Sequence, residues 1–269
     1  MNKQNKAKNG NRRIRHFIII GSSRGLGAAL VDRLIKEDFK VIGVSRTPPS
    51  KIPNYEQWMQ TGNFEYYELD IASSDSSHTL EKICNKLPSC PIGIIYNAAV
   101  MKTEINKEEP LDLDVFFEVN RVQIDGFGRV VKSFEKHLLK HGRLFAAISS
   151  FSAYAPAILD PRIAYSASKA YLDMAMRCLN AHWKGKVRGI TIHLGHIGEK
   201  EKSFLVLIKA SYQNAAQEIV KKLTRSSPPV EINYPLIYCL VYKYIFKFIP
   251  FFYDLFAEVT SRISKYKNS

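Results

Sequence analysis

Short apolar runs alternating with longer segments of helical period constrain this chain more than any other feature. Phe17-Ile-Ile-Ile20, Val41-Ile-Gly-Val44, Ile92-Gly-Ile-Ile-Tyr96, Leu144-Phe-Ala-Ala-Ile148 and Val187-Arg-Gly-Ile-Thr-Ile192 read as strands, and a further strand pattern ends at Leu69-Asp70-Ile71. Between them, Gly25 to Glu37, Ser74 to Leu87, Leu113 to Leu139 and Tyr165 to Ala181 read as helices. Strands that are apolar almost throughout must be buried on both faces, which implies a parallel sheet covered by helices. Right-handed crossovers then give an α/β fold with a doubly wound parallel sheet, its ligands bound beyond the carboxyl ends of the strands.

Composition sets the limits of that domain. The 269 residues are 46% hydrophobic, enough for one large core, so wholesale disorder is excluded. The 39 Lys and Arg against 25 Asp and Glu give a formal charge of +14, which favours anionic partners without naming them. Lys3, Lys6, Lys8, Arg12, Arg13 and Arg15 fall at the N-terminus with no acidic residue among them, so residues 1–14 read as a basic flexible tail. Cys84, Cys90, Cys178 and Cys239 have neither CxxC spacing nor histidines at zinc-site spacing, which points to a reducing, cytoplasmic setting and no metal. Phe17 to Ile20 is too short to be a signal-peptide core.

The sharpest local feature is the turn Gly21-Ser-Ser-Arg-Gly-Leu-Gly27 between the first strand and the first helix. Its glycines let the chain turn tightly and approach a pyrophosphate, which the helix amides favour. Gly21, Ser23, Arg24, Gly25, Leu26 and Gly27 are therefore candidate dinucleotide contacts. The second strand ends at Val44-Ser45-Arg46 with no carboxylate to hold the ribose hydroxyls of NAD. Arg46, with Arg24 opposite, could instead pair with a ribose 2′-phosphate, so NADP is the expected cofactor. Asp70 could accept from an adenine amino group, or simply form a turn.

Tyr165-Ser-Ala-Ser-Lys169 carries the chemistry. Tyrosine and lysine four apart lie on one helix face, where an ammonium favours the ionised phenol and brings it within reach of acid–base work near neutral pH. Ser149-Ser150 at a strand end offers a hydroxyl to a substrate carbonyl, and Asn120 lies within a helical segment.

In the order Gly21/Gly25/Gly27, Asp70, Asn97-Ala98-Ala99, Asn120, Ser150 and Tyr165/Lys169, the chain resembles the short-chain dehydrogenases/reductases, in their NADP-preferring branch, from about residue 15 to 200. The resemblance implies a Rossmann-type domain over residues 15–233. It implies Tyr165 as proton donor or acceptor, and Lys169 as a ligand of the nicotinamide ribose that lowers the tyrosine pKa. Ser150 would orient the substrate oxygen, Asn120 would hold a relay water, and Asn97 and Ala98 would border the cofactor. It also implies a homodimer or homotetramer built on the helices around Leu113–Leu139 and Tyr165–Ala181.

Several positions depart from the family pattern. Ala99 stands where the family has glycine. Ser150 lies fifteen positions before Tyr165, farther than the family's usual spacing, which Ser152 keeps. Ser150 is the expected catalytic serine, with Ser152 its rival. Leu194-Gly-His-Ile-Gly198 lacks the usual proline and threonine, leaving the Ile197 backbone to hold the carboxamide, with His196 lining the cleft and Glu199 to Leu207 forming part of a lid.

Ala215 to Val220 continues a helix and Pro229 to Asn233 reads as a last strand. Residues 234–269 form a hydrophobic, aromatic extension in which Lys243, Lys247 and Pro250 interrupt any run of the roughly 18 residues a membrane span needs. It is expected to cover the cleft or a subunit interface, with peripheral membrane contact as the alternative. No motif or basic stripe reads nucleic acid. The expected activity is hydride transfer between NADP(H) and a lipophilic carbonyl/alcohol pair. A non-enzymatic NADP(H)-binding regulator, or a membrane-surface scaffold on the same fold, remains the alternative.

Overall fold

The computed structural model describes residues 14–105, 110–155, 162–199 and 210–246, together with Phe251, Leu255 and Glu258. The elements run β1 (His16–Ile20), α1 (Gly25–Lys36), β2 (Lys40–Ser45), α2 (Tyr55–Gln60), β3 (Phe64–Glu68), α3 (Ser76–Lys86), β4 (Ile92–Tyr96), α4 (Leu113–Asn120), α5 (Phe127–His141), β5 (Arg143–Ser150), α6 (Ile163–Trp183), β6 (Val187–Leu194), α7 (Tyr212–Leu223), β7 (Glu231–Tyr234) and α8 (Leu236–Leu240). All strand pairings are parallel, in the order β3-β2-β1-β4-β5-β6-β7. The doubly wound sheet is therefore as expected. Its order reverses between β1 and β4, the switch point beyond whose carboxyl ends sheets of this topology bind ligands.

Alternation along the strands divides the core in two. Phe17, Ile19, Ile95, Ala146, Ile148 and Ile192 face α1 and α7, whereas Ile18, Ile20, Ile94, Tyr96, Phe145 and Ala147 face α3, α5 and α6. Ile14 already belongs to the first cluster. Residues 1–13, and so nearly all of the basic tail, lie outside the described residues, as do residues 200–207 of the expected lid.

Three elements differ from the sequence reading. The six-residue α2 went unseen; it buries Trp58, whose indole donates to Asp32 on α1 at 2.5 Å. The helix expected over Leu113 to Leu139 continues, but Arg121–Gly126 widens into a π-helical turn between α4 and α5. The buried Tyr96 hydroxyl donates to the Val122 carbonyl in that turn, and a Cβ on Gly126 would lie 2.9 Å from the same hydroxyl. The turn thus forms where Tyr96 enters the backbone ladder. The last strand begins at Glu231 rather than Pro229 and includes Tyr234, so a boundary after residue 233 cuts through it.

Beyond β7, α8 and a second π-helical turn, Val241–Phe246, bury Cys239, Tyr242 and Phe246. Among the described residues no helix is long and apolar enough to cross a membrane. Leu236 and Ile237 of α8 are exposed, while most of residues 247–269, on which membrane-surface contact also depended, lie outside the described residues. All four cysteines are free, and no metal-binding group is found among the described residues.

Candidate active site

The site is assembled where β1, β4 and β5 end and α1 and α6 begin. At the first of these ends the chain turns through Gly21 at φ +89° and Gly25 at φ +55°, conformations that favour glycine. Gly27 allows a close approach of another kind, since a Cβ there would lie 1.9 Å from the Gly21 carbonyl oxygen. Asn97 braces the turn by donating to that carbonyl at 2.7 Å, and a Cβ on Gly21 would lie 2.7 Å from the Ala98 nitrogen. Leu26 is a core side chain, so only its backbone faces the turn. Ser23 hydrogen-bonds Thr47 at 2.9 Å, joining the turn to the segment after β2.

The start of α1 fits a dinucleotide pyrophosphate on the chain's own geometry. Arg24 provides no side-chain cap and the first turn holds no acidic residue, so its amides and positive helix end are available to an anion. Arg46 is 54% exposed, with Nη1 3.9 Å from Glu118 Oε1, while Lys102 holds the other Glu118 oxygen at 2.5 Å. No carboxylate occurs at the end of β2, although Glu118 approaches from α4. Asp70 is exposed and accepts from the Ala72 amide at 3.0 Å, the turn geometry left open above.

Tyr165 and Lys169 occupy successive turns of α6. Ser150, at the end of β5, stands near enough to the Tyr165 phenol to pull its pKa down, and the buried Ser152 hydroxyl has no hydrogen-bond partner among the described residues. The Ser150 oxygen also accepts from the Ser152 amide at 3.2 Å, in the short 3-10 turn Phe151–Ala153. Lys169 is 2% exposed, donates to the Ile148 carbonyl at 2.8 Å, and sits 5.3 Å from the centre of the Tyr165 ring.

Burial raises the phenol above the ordinary tyrosine range, while the Ser150 bond and the Arg162 charge pull it back. Burial also lowers Lys169 to about 7. The ammonium expected to favour the phenolate is thus itself weakened in the closed core, where among the described residues it gains one carbonyl and no carboxylate. Asn120 ends α4 where the π-helical turn starts, and its side chain makes no hydrogen bond among the described residues. An isolated bridge to Ala210 is made by the Gly198 amide and the His196 carbonyl, so it does not use Ile197's own backbone groups. His196 is exposed.

Other residues supporting this site were missed in the sequence. Gln123, fully buried in the π-helical turn, accepts from Val100 N at 2.9 Å and donates to Ser168, whose hydroxyl donates to the Tyr165 carbonyl at 2.7 Å. Farther along α6, Asp173 Oδ1 lies 2.7 Å from Nε2 of the buried His193. Tyr154 stacks on that imidazole with centroids 4.8 Å apart, and Glu231 Oε1 lies 3.5 Å from Nδ1. Lys243 donates to both Glu231 oxygens at 2.6 and 2.7 Å. Burial alone would raise the Glu231 carboxyl, but the bonds from Lys243 and Asn233 and the proximity of His193 hold it below its ordinary value. Asp173 lies four residues beyond Lys169, the one legible sign of this network; its other members come together only across the sheet.

The sequence model of the short chain dehydrogenase family matches residues 15–201. The chain belongs to the short-chain dehydrogenase family. It is 25% identical over 165 residues to an uncharacterised oxidoreductase of Schizosaccharomyces pombe, a match covering 60% of this chain and 64% of that one. This short-chain dehydrogenase also shares its fold with a short-chain dehydrogenase/reductase from Mycobacterium ulcerans (TM-score 0.70, 17% identity, 82% of this chain and 88% of that one). A short-chain dehydrogenase from Burkholderia cenocepacia J2315, solved in complex with NADP, is similar at TM-score 0.67 and 20% identity, again over 82% and 88% of the two chains.

Proposed function

We propose that this short-chain dehydrogenase is an NADP(H)-dependent oxidoreductase interconverting a carbonyl and an alcohol. The observation that carries this reading is the Tyr165/Lys169 pair on α6, with Lys169 Nζ 5.3 Å from the centre of the Tyr165 ring and Ser150 near enough to lower the phenol's pKa. Bound NADP(H) supplies or accepts the hydride, and the protein supplies alignment and the proton. The backbone from Gly21 to Gly27, including Ser23, Arg24, Gly25 and Leu26, holds the pyrophosphate. Arg24 and Arg46 hold the 2′-phosphate, Asp70 the adenine, Asn97 and Ala98 the floor of the crevice, and the Ile197 backbone the carboxamide. Tyr165 and Lys169 hold the nicotinamide ribose.

In reduction Tyr165 gives its phenolic proton to the substrate oxygen, and in oxidation it takes the proton back. Ser150 holds that oxygen beside the phenol, and Asn120 holds a water of the relay that returns a proton to Tyr165 by way of Lys169. Ser150 is followed by Phe151, whose ring lies 4.3 Å from that of Tyr242, and Tyr242 packs on Phe246 at 4.8 Å. An apolar wall beside the hydroxyl suits a lipophilic carbonyl. Leu113 and Phe117 of α4 and Tyr171 and Met174 of α6 are exposed, which fits a homo-oligomer formed through these helices.

The deciding experiment is a fluorescence titration with NADPH and with NADH at fixed ionic strength, on the protein and on Arg46→Ala, followed by a carbonyl screen. Tighter NADPH binding that weakens selectively in Arg46→Ala, with turnover abolished in Tyr165→Phe, is expected. Binding without turnover of any carbonyl favours a regulator, and no binding of either nucleotide rejects the reading.

A further inference from the structure

Glu104 lies in the loop between β4 and α4, within a polar stretch that reads as solvated surface, yet it is only 1% exposed. Its Oε1 accepts from the Ala164 amide at 2.6 Å, and its Oε2 is buried with no hydrogen-bond partner among the described residues. A buried carboxylate is costly unless something compensates its charge. The compensation here is the first turn of the 21-residue helix α6, whose Ala164 amide donates to the carboxylate and whose positive end favours an anion.

Among the described residues no side chain of α6 itself caps its N-terminus. Arg162, at the N-cap, makes no side-chain capping bond, and the first turn carries no acidic residue. Ala164 directly precedes Tyr165, so the amide held by Glu104 lies in the turn that carries the phenol. The same residue reaches the other helix of the site: its carbonyl accepts from Asp112 N at 2.9 Å, and Asp112 caps α4 by accepting from Asp114 N and Val115 N at 3.0 and 3.1 Å. Helix α4 ends at Asn120. Glu104 thus ties the start of α4 to the start of α6.

We propose that Glu104 is a positioning residue for Tyr165, capping α6 from a distant loop and fixing the turn that carries the phenol. This inference rests on the oxidoreductase reading, and its test separates the two. Amide hydrogen exchange over the first turn of α6, NADPH affinity and steady-state kinetics would be measured for wild type, Glu104→Ala and Glu104→Gln. The glutamine variant keeps the acceptor and loses the charge.

Faster exchange at Ala164 to Ser166 in Glu104→Ala is expected, with kcat lowered about tenfold or more and NADPH affinity within about twofold of wild type. Glu104→Gln is expected to recover most of both losses. Unchanged exchange and kcat in Glu104→Ala, a loss confined to NADPH binding, or a glutamine variant as impaired as the alanine one would each overturn the proposal. Should Glu104→Ala not fold, Glu104→Asp, one methylene shorter, serves the same comparison. A wild type without turnover rejects the enzyme reading alone, because the exchange measurement still tests whether Glu104 holds α6.

Discussion

Lys169 Nζ donates to the carbonyl oxygen of Ile148 at 2.8 Å, joining the middle of α6 to β5 two residues before Ser150. The bond satisfies one donor of a fully enclosed cation, and burial lowers that cation from 10.5 to about 7. The unfolded chain therefore binds more protons than the folded one between about 7 and 10.5, and stability rises with pH across that interval. Lys169→Met should flatten this slope, raising Tm at pH 6 more than at pH 10 while abolishing turnover. Thermal unfolding of both proteins over this pH range checks the sign.

Ser150 lowers the pKa of the Tyr165 phenol and is the proposed holder of the substrate oxygen. Ser150→Ala should lower kcat by roughly 10²-fold, the scale of losing one donor to a developing oxyanion. Ser152→Ala, which removes a hydroxyl without a partner, should stay within about threefold of wild type by the same reasoning. Steady-state kinetics on a single carbonyl substrate would decide between the serines, and the reverse ranking would move the substrate oxygen toward Ser152.

Lys243 and Glu231 join the C-terminal segment to the sheet edge with both partners largely shielded, at 19% and 29% side-chain exposure. Lys243→Met should cost about 1.5–3 kcal/mol at neutral pH, as expected for a hydrogen-bonded charge. Glu231 is held below its ordinary value of 4.5, so the stabilisation is complete above that value and is lost as the pH falls through the lower, folded-state value. The Tm difference between wild type and Lys243→Met should accordingly shrink on acidification.

Gly27 and Gly128 make opposite predictions for the same substitution. A Cβ on Gly27 would lie 1.9 Å from the Gly21 backbone oxygen, whereas nothing lies within 4 Å of one on Gly128 in α5. Gly27→Ala should destabilise by about 3 kcal/mol or more and remove NADPH binding. Gly128→Ala should stabilise by about 0.5–1 kcal/mol, because alanine is the better helix former. Chemical denaturation measures both.

Much of the architecture was legible because buried parallel strands are apolar on both faces and the helices between them have a distinct period. β4 runs over the five residues that its apolar run predicts, and the Gly21 to Gly27 turn and the Tyr165/Lys169 pair stand out by local spacing. The π-helical turn at Arg121–Gly126 could not be, since it depends on Tyr96, which meets Val122 only after β4 is packed. α2 was missed because six residues are too few for a helical period to show.

The sequence by itself determined the strand order's raw material, the glycine turn and the Tyr165/Lys169 pair, since each depends on residues close together in the chain. Only the tertiary structure decided that Lys169 loses basicity by enclosure and that His193, Glu231 and Lys243 form one network. It alone placed Glu104 on the Ala164 amide, sixty positions away. Burial and long-range hydrogen bonds have no period, so the spacing of residues along the chain does not encode them.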